Sequence, residues 1–110
     1  MIQRLPVVLN ESALLDLQNI ASYIFNQRGS ERTALNFTDR IKARCHRIGD
    51  VPRGGRMRDD LIPGLRIVPF ERSAVIAYVV DADAVRIISI FYGGRDFEAL
   101  LKDQTGTGDN

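Results

Sequence analysis

The sequence predicts an α+β fold, an N-terminal strand and an antiparallel helical hairpin packed on a small antiparallel sheet. Three observations lead there. Residues 11–48 carry apolar side chains at helical spacing, interrupted once at Gly29-Ser30. Residues 65–92 hold three short runs rich in Val, Ile, Phe and Tyr, joined by polar links too short for parallel crossovers, so neighbouring runs must be antiparallel. At 110 residues the chain is one small domain with a modest core.

Taken in order, Leu5–Leu9 is the first strand, and Pro6 places it at an edge because proline donates nothing to a ladder. Asn10 is an N-cap candidate, with Glu11 well placed against the helix dipole. The first helix presents Leu14, Leu17, Ala21 and Ile24 as its apolar stripe, joined by Ile20 and Phe25, and stops at Gly29. Ser30 caps a second helix whose stripe is Ala34, Phe37, Ile41, Cys45 and Ile48, ending at Gly49. A joint this short makes the helices an antiparallel hairpin. Residues 50–64, rich in Gly, Pro, Arg and Asp, form a loop. The strands are Leu65–Phe70, Ala74–Val80 and Val85–Tyr92, with turns at 71–73 and 81–84. The middle run, apolar on both faces, is central, and the three-strand meander leaves one sheet face for a partner. Residues 97–102 add one helical turn. The domain spans residues 1–102, and residues 103–110 form a flexible polar tail.

Composition excludes several functions. Net charge is +1, so bulk electrostatics favours neither nucleic acid nor membrane, and direct nucleic-acid contact stays open. No apolar run reaches the roughly 20 residues needed to span a bilayer, and no basic leader precedes an apolar segment. Cys45 is the only cysteine, so no internal disulfide forms, which suits a cytoplasmic protein. One histidine, one cysteine and scattered acids make no metal set, and no cofactor is expected. No nucleophile elbow or phosphate loop is present.

Binding chemistry is richer. Thirteen arginines stand against two lysines, and arginine pairs bidentately with carboxylates and phosphates. Residues 28–58 hold nine basic residues against three acids, whereas four acids face one lysine from Asp96 onward. Arg40, Arg44 and Arg47 share a face of the second helix, and Arg53, Arg56 and Arg58 follow in the loop. Arg66, Tyr92 and Arg95 are expected to group at one end of the sheet, where they would hold a phosphate or an acidic peptide.

The order of these pieces resembles the ParE branch of the RelE/ParE toxin superfamily, the toxins of type II toxin–antitoxin modules. The resemblance runs from Leu5 to Leu101. It is carried by the first helix, by Pro52…Gly55-Arg56-Met57-Arg58…Leu61…Pro63-Gly64-Leu65-Arg66, by Ala74-Val75-Ile76-Ala77-Tyr78, and by the closing Tyr92-Gly93-Gly94-Arg95-Asp96. It implies a ParD-like antitoxin partner. ParE-type members inhibit DNA gyrase, and RelE-type members cleave mRNA on the ribosome with lysines, arginines and a late Tyr or His. Here Lys42 and Lys102 are the only lysines, Tyr92 stands where many ParE relatives carry histidine, and Val79 replaces a common arginine. The resemblance therefore implies an inhibitory binding protein rather than an enzyme, with Arg40, Arg44, Arg56, Arg58, Arg66, Tyr92 and Arg95 contacting target or antitoxin. The alternative is a ribosome-dependent endoribonuclease acting through Arg66, Tyr92 and Arg95.

Overall fold

The computed structural model describes residues 4–105. The elements are β1 (Val7–Leu9), α1 (Glu11–Arg28), α2 (Glu31–Ile48), β2 (Arg56–Met57), β3 (Arg66–Phe70), β4 (Ala74–Val80), β5 (Val85–Tyr92) and α3 (Phe97–Thr105). They build one five-stranded sheet ordered β1-β5-β4-β3-β2. The predicted meander is its centre, and β4 is the middle strand, as its two-sided apolar run requires. β1 lies at one edge, parallel to β5 with Val7 opposite Val85, so the sheet is mixed rather than antiparallel throughout. β2, inside the expected loop, pairs only Arg56 with Ile67 and Met57 with Arg66 at the other edge.

The helix signals hold at the caps. Gly29 closes α1 in the left-handed region at φ 67°, where a Cβ is disfavoured. The Ser30 side chain accepts the Thr33 N–H and opens α2. Asn10 caps α1 with its backbone only: its side chain makes no capping bond, while its carbonyl accepts from the Leu14 N–H. Gly49 ends α2 because two backbones meet there. The Leu5 N–H donates to the Gly49 carbonyl at 2.9 Å, and a Cβ on residue 49 would lie 2.3 Å from the Leu5 carbonyl oxygen.

α2 buries the stripe expected of it. α1 buries Leu17, Ile20 and Ile24 of the expected stripe, with Ala21 partly buried against the core, but Ala13 takes the place of Leu14, and Leu14 and Phe25 remain 47% and 48% exposed. The reason is that α1 packs against β5 as well as α2, so the row that satisfies both surfaces runs 13-17-20-24. Between helices and sheet lies the main core, where Ile41, Ile76, Tyr78, Val85 and Ile87 are each 0% exposed. Truncating one of these isoleucines to alanine costs roughly 2–5 kcal/mol.

The second sheet face is not left open as expected. Leu61 and Leu65 from the 58–65 loop and Leu101 from α3 cover Ile67, Ala77 and Phe91 in a smaller core. α3 also outruns the single predicted turn, continuing through Thr105 and taking in the first three residues of the expected tail. The rest of that tail, residues 106–110, lies outside the described residues.

Candidate functional site

The meander's geometry corrects one expectation directly. In two successive antiparallel pairings the first and third strands run the same way. Arg66 therefore sits opposite Tyr78, which pairs with Ile87 near the start of β5, while Tyr92 pairs with Ala74 at the far end. Arg66 and Tyr92 occupy opposite ends of the sheet and form no common site.

At the Arg66 end the polar groups are structural. The Arg66 Nη1 donates to the carbonyls of Arg53 and Gly55, both at 2.9 Å, and holds the loop before β2. The buried Tyr78 hydroxyl accepts the Gly55 N–H and donates to the Pro52 carbonyl, each at 2.9 Å. Burial raises the Tyr78 pKa, so the hydroxyl stays protonated and can donate. Arg58 is likewise committed: it pairs with Asp60 at 2.8 Å and Glu98 at 2.7 Å, and lies over the Phe97 ring. It fastens α3 to the 58–65 loop. Arg44 and Arg47 line a small hollow of about 140 Å³ beside Gly54 and Gly55. Arg56 is exposed on the edge strand β2.

The Tyr92 end is different. Three clefts meet at Tyr92. The largest, about 520 Å³, runs toward the α1–α2 joint and is lined by Arg28, Phe37 and Arg40. A second, about 260 Å³, lies between α1 and the end of β5 and holds Asp16, Asn19 and Arg95. A third, about 170 Å³, opens onto the other face of the sheet between Arg72 and Arg95. The Tyr92 ring is held edge-on by Phe37 at 5.3 Å and by Tyr23 at 5.8 Å. Such aromatic contacts add about 0.5–1.5 kcal/mol each beyond area burial, so Tyr92 is a rigid feature of this surface.

A strained turn frames the same end. The β3–β4 hairpin turns through Glu71 and Arg72 at φ 48° and 58°, with the Ser73 N–H bonded to the Phe70 carbonyl. A turn with two successive left-handed central residues normally uses Asn-Gly, because side chains disfavour positive φ. Arg40 braces the turn: its Nε and Nη2 donate to the two Glu71 carboxylate oxygens at 2.8 and 3.0 Å, and its guanidinium lies 5.3 Å from the Phe37 ring centroid. This pair raises the Arg40 pKa and lowers that of Glu71. Arg40 thus organises the surface as well as lining it.

Asp16 is the residue the sequence reading missed. It takes the Ile90 N–H at 2.8 Å, on the edge of β5 beyond the last β1 pairing, and Ser12 donates to the Ile88 carbonyl one helical turn earlier. Two α1 side chains thus stand in for the missing strand. Burial raises the Asp16 pKa, opposed by the Ile90 hydrogen bond and by the Arg95 charge. The signal was present in the spacing of Asp16, Asn19, Ile20 and Tyr23, one continuous row on α1. Nothing in the sequence marked Glu71-Arg72 as left-handed. Among the described residues no His, Cys, Asp and Glu gather in a set able to hold a metal ion, and no helix is long and apolar enough to cross a membrane.

A helical hairpin on a mixed sheet, with an aromatic end rimmed by arginines, defines a class of small α+β domains. Among solved structures, a chain of the chromosomal ParDE toxin–antitoxin system from P. aeruginosa superposes with a TM-score of 0.72, at 21% identity, covering 83% of this chain and 98% of that one. A search of the curated proteins gives no match. Residues 7–97 match the family described as ParE toxin of type II toxin-antitoxin system, parDE. The chain belongs to the ParE toxin family.

Proposed function

We infer that this protein arrests growth as a cytoplasmic toxin by binding DNA gyrase and so blocking replication, and that a ParD-like antitoxin neutralises it. The family supplies the class of target. The observation that carries the binding mechanism is the make-up of the Tyr92 end. Its three clefts are lined by aromatic rings and arginines, with no lysine or histidine among their described lining residues. Metal-free phosphodiester cleavage needs a positioned base and acid. Rigid rings with guanidiniums around them are what protein interfaces use as anchors.

The antitoxin has a separate landing place. Leu14 and Leu35, 47% and 48% exposed, flank an outer groove of about 260 Å³ between α1 and α2, with Lys42 at its border. An apolar segment with acidic neighbours fits there and can continue past Arg44 to the edge strand bearing Arg56. The test is a supercoiling assay with purified gyrase, run with and without antitoxin. Inhibition that saturates near stoichiometric toxin and is reversed by antitoxin supports the reading; full supercoiling activity at saturating toxin refutes it.

One observation favours the ribonuclease alternative. Asp16 shares the 260 Å³ cleft with Tyr92 and Arg95, and its raised pKa brings it closer to a base's working range. Ribosome-dependent mRNA cuts that vanish in both Asp16→Asn and Tyr92→Phe would establish it.

A further inference from the structure

We propose that Arg72 and Arg95 flank a docking cleft that takes an acidic side chain, together with an apolar neighbour, from the target protein. This rests on the reading above that the toxin acts by gripping a protein target. It adds the site, the chemistry it selects and a residue, Arg72, that no motif singled out.

The cleft floor is one rung of the sheet. Pro69 pairs with Val75, and Val75 pairs with Phe91, so the three side chains lie side by side on the face away from the helical hairpin. α3 and the 58–65 loop cover that face further along, and Phe97 of α3 packs against Phe91 at 5.9 Å. What remains open is the Pro69 and Val75 part of this rung, with buried Phe91 as its inner wall, Arg72 rising from the hairpin turn on one side and Arg95 from the Gly93-Gly94 turn on the other.

The charges decide what fits. Arg40, Arg58 and Arg86 each have a carboxylate partner, and Arg66 has two carbonyls. Neither Arg72 nor Arg95 has an ion pair among the described residues, and the Arg95 charge acts on Asp16 in the adjoining cleft. No acid lines the cleft they share. With two guanidiniums and no acid at its rim, the cleft carries a positive field beside an apolar floor. An anion inserted there meets favourable charge from both sides.

The backbone carries the same message. Arg72 is held at φ 58°, a conformation that glycine would adopt without a Cβ penalty. Strain of this sort persists where surrounding structure enforces it, and it gathers at functional sites. Here the Phe70–Ala74 strand pairing and the Ser73 N–H bond to the Phe70 carbonyl hold the turn, with the Arg40–Glu71 pair beside it.

Size and field select the partner. At about 170 Å³ the cleft is below the roughly 300–1,000 Å³ of pockets that enclose small molecules. It matches one or two anchoring side chains at a protein interface. Nucleic acid would need an extended basic track, whereas the chain continues from Arg95 into Asp96 and Glu98.

Arg72→Gly provides the test, because it removes the cation and suits the backbone. The variant should melt at the wild-type temperature or higher and bind antitoxin within about twofold of wild type. Its inhibition of gyrase supercoiling should weaken by about tenfold or more, the usual cost of truncating one member of a desolvated charge pair. Arg95→Glu should do the same or worse. Growth arrest on induction reads the cleft whatever the target: if wild type is inert on gyrase but arrests growth, and Arg72→Gly does not, the cleft stands and the gyrase assignment falls. Wild-type potency of Arg72→Gly in both assays overturns the cleft. An equal loss of antitoxin affinity also overturns it, by making antitoxin the occupant.

Discussion

Replacing Tyr78 with phenylalanine tests whether the loop ahead of β2 is held from inside the core. The ring is 0% exposed and its size is kept, so the change removes two hydrogen bonds and no packing. Each bond contributes about 1 kcal/mol net, and leaving the Gly55 N–H and the Pro52 carbonyl buried without partners costs roughly 1–3 kcal/mol apiece. The hollow lined by Gly55 and Tyr78 leaves the loop room to relax, which places the expected loss near the lower end, about 2–3 kcal/mol. For a domain of this size that is roughly 8–12 °C in Tm. Urea unfolding should show a lower midpoint with an unchanged m-value. Antitoxin affinity should also fall, because Arg56 rides on the strand this loop feeds. A loss below about 0.5 kcal/mol would show that Tyr78 does not hold the loop.

Three further outcomes are expected. Arg86 and two backbone N–H groups hold the Asp81 carboxylate down to a pKa of about 2. Its contribution is therefore present above the unfolded value of 3.8 and lost as pH falls toward 2. The stability gap between wild type and Asp81→Asn should close over that window in urea titrations at pH 2–5. Asp16 has the opposite sign: its pKa is raised above 3.8 in the fold, so native stability is lost as pH rises past that value. Asp16→Asn, which keeps an oxygen for the Ile90 N–H, should gain on wild type between pH 3 and 7 by the same assay. Leu35→Asp should weaken antitoxin binding by about tenfold or more, measured by calorimetry, by placing an unpaired charge in the apolar groove; Arg56→Glu should weaken it less, as a rim charge.

Where local chemistry decides the structure, the sequence could be read directly. Gly29 and Ser30 marked the helix joint because φ 67° and a side-chain cap need those residue types. The two-sided apolar run placed β4 at the sheet centre. Pro6 put the first strand at an edge, but its parallel partner, residues 85–87, is distant in sequence, and no local pattern encodes such a pairing. β2 is two residues long and too short for any periodicity to register. The face of α1 was right at Leu17, Ile20 and Ile24 and wrong at its first turn, because Leu14 and Ala13 both continue a helical row and only the position of β5 chooses between them. The site was half legible. Tyr92 and Arg95 were found as a terminal cluster, but Arg66 was assigned to the wrong end through a misreading of strand direction. Arg72 and Asp16 escaped because a left-handed arginine and a carboxylate on a β5 edge amide look ordinary in sequence.

The proposed function requires the Tyr92 end to grip a protein without making or breaking bonds. Titrating wild-type toxin into a gyrase supercoiling reaction, with total mRNA and ribosomes assayed in parallel, tests it most directly. Inhibition should saturate near one toxin per target site and leave transcripts intact. Transcripts cut by toxin far below ribosome concentration, with gyrase untouched, would contradict it.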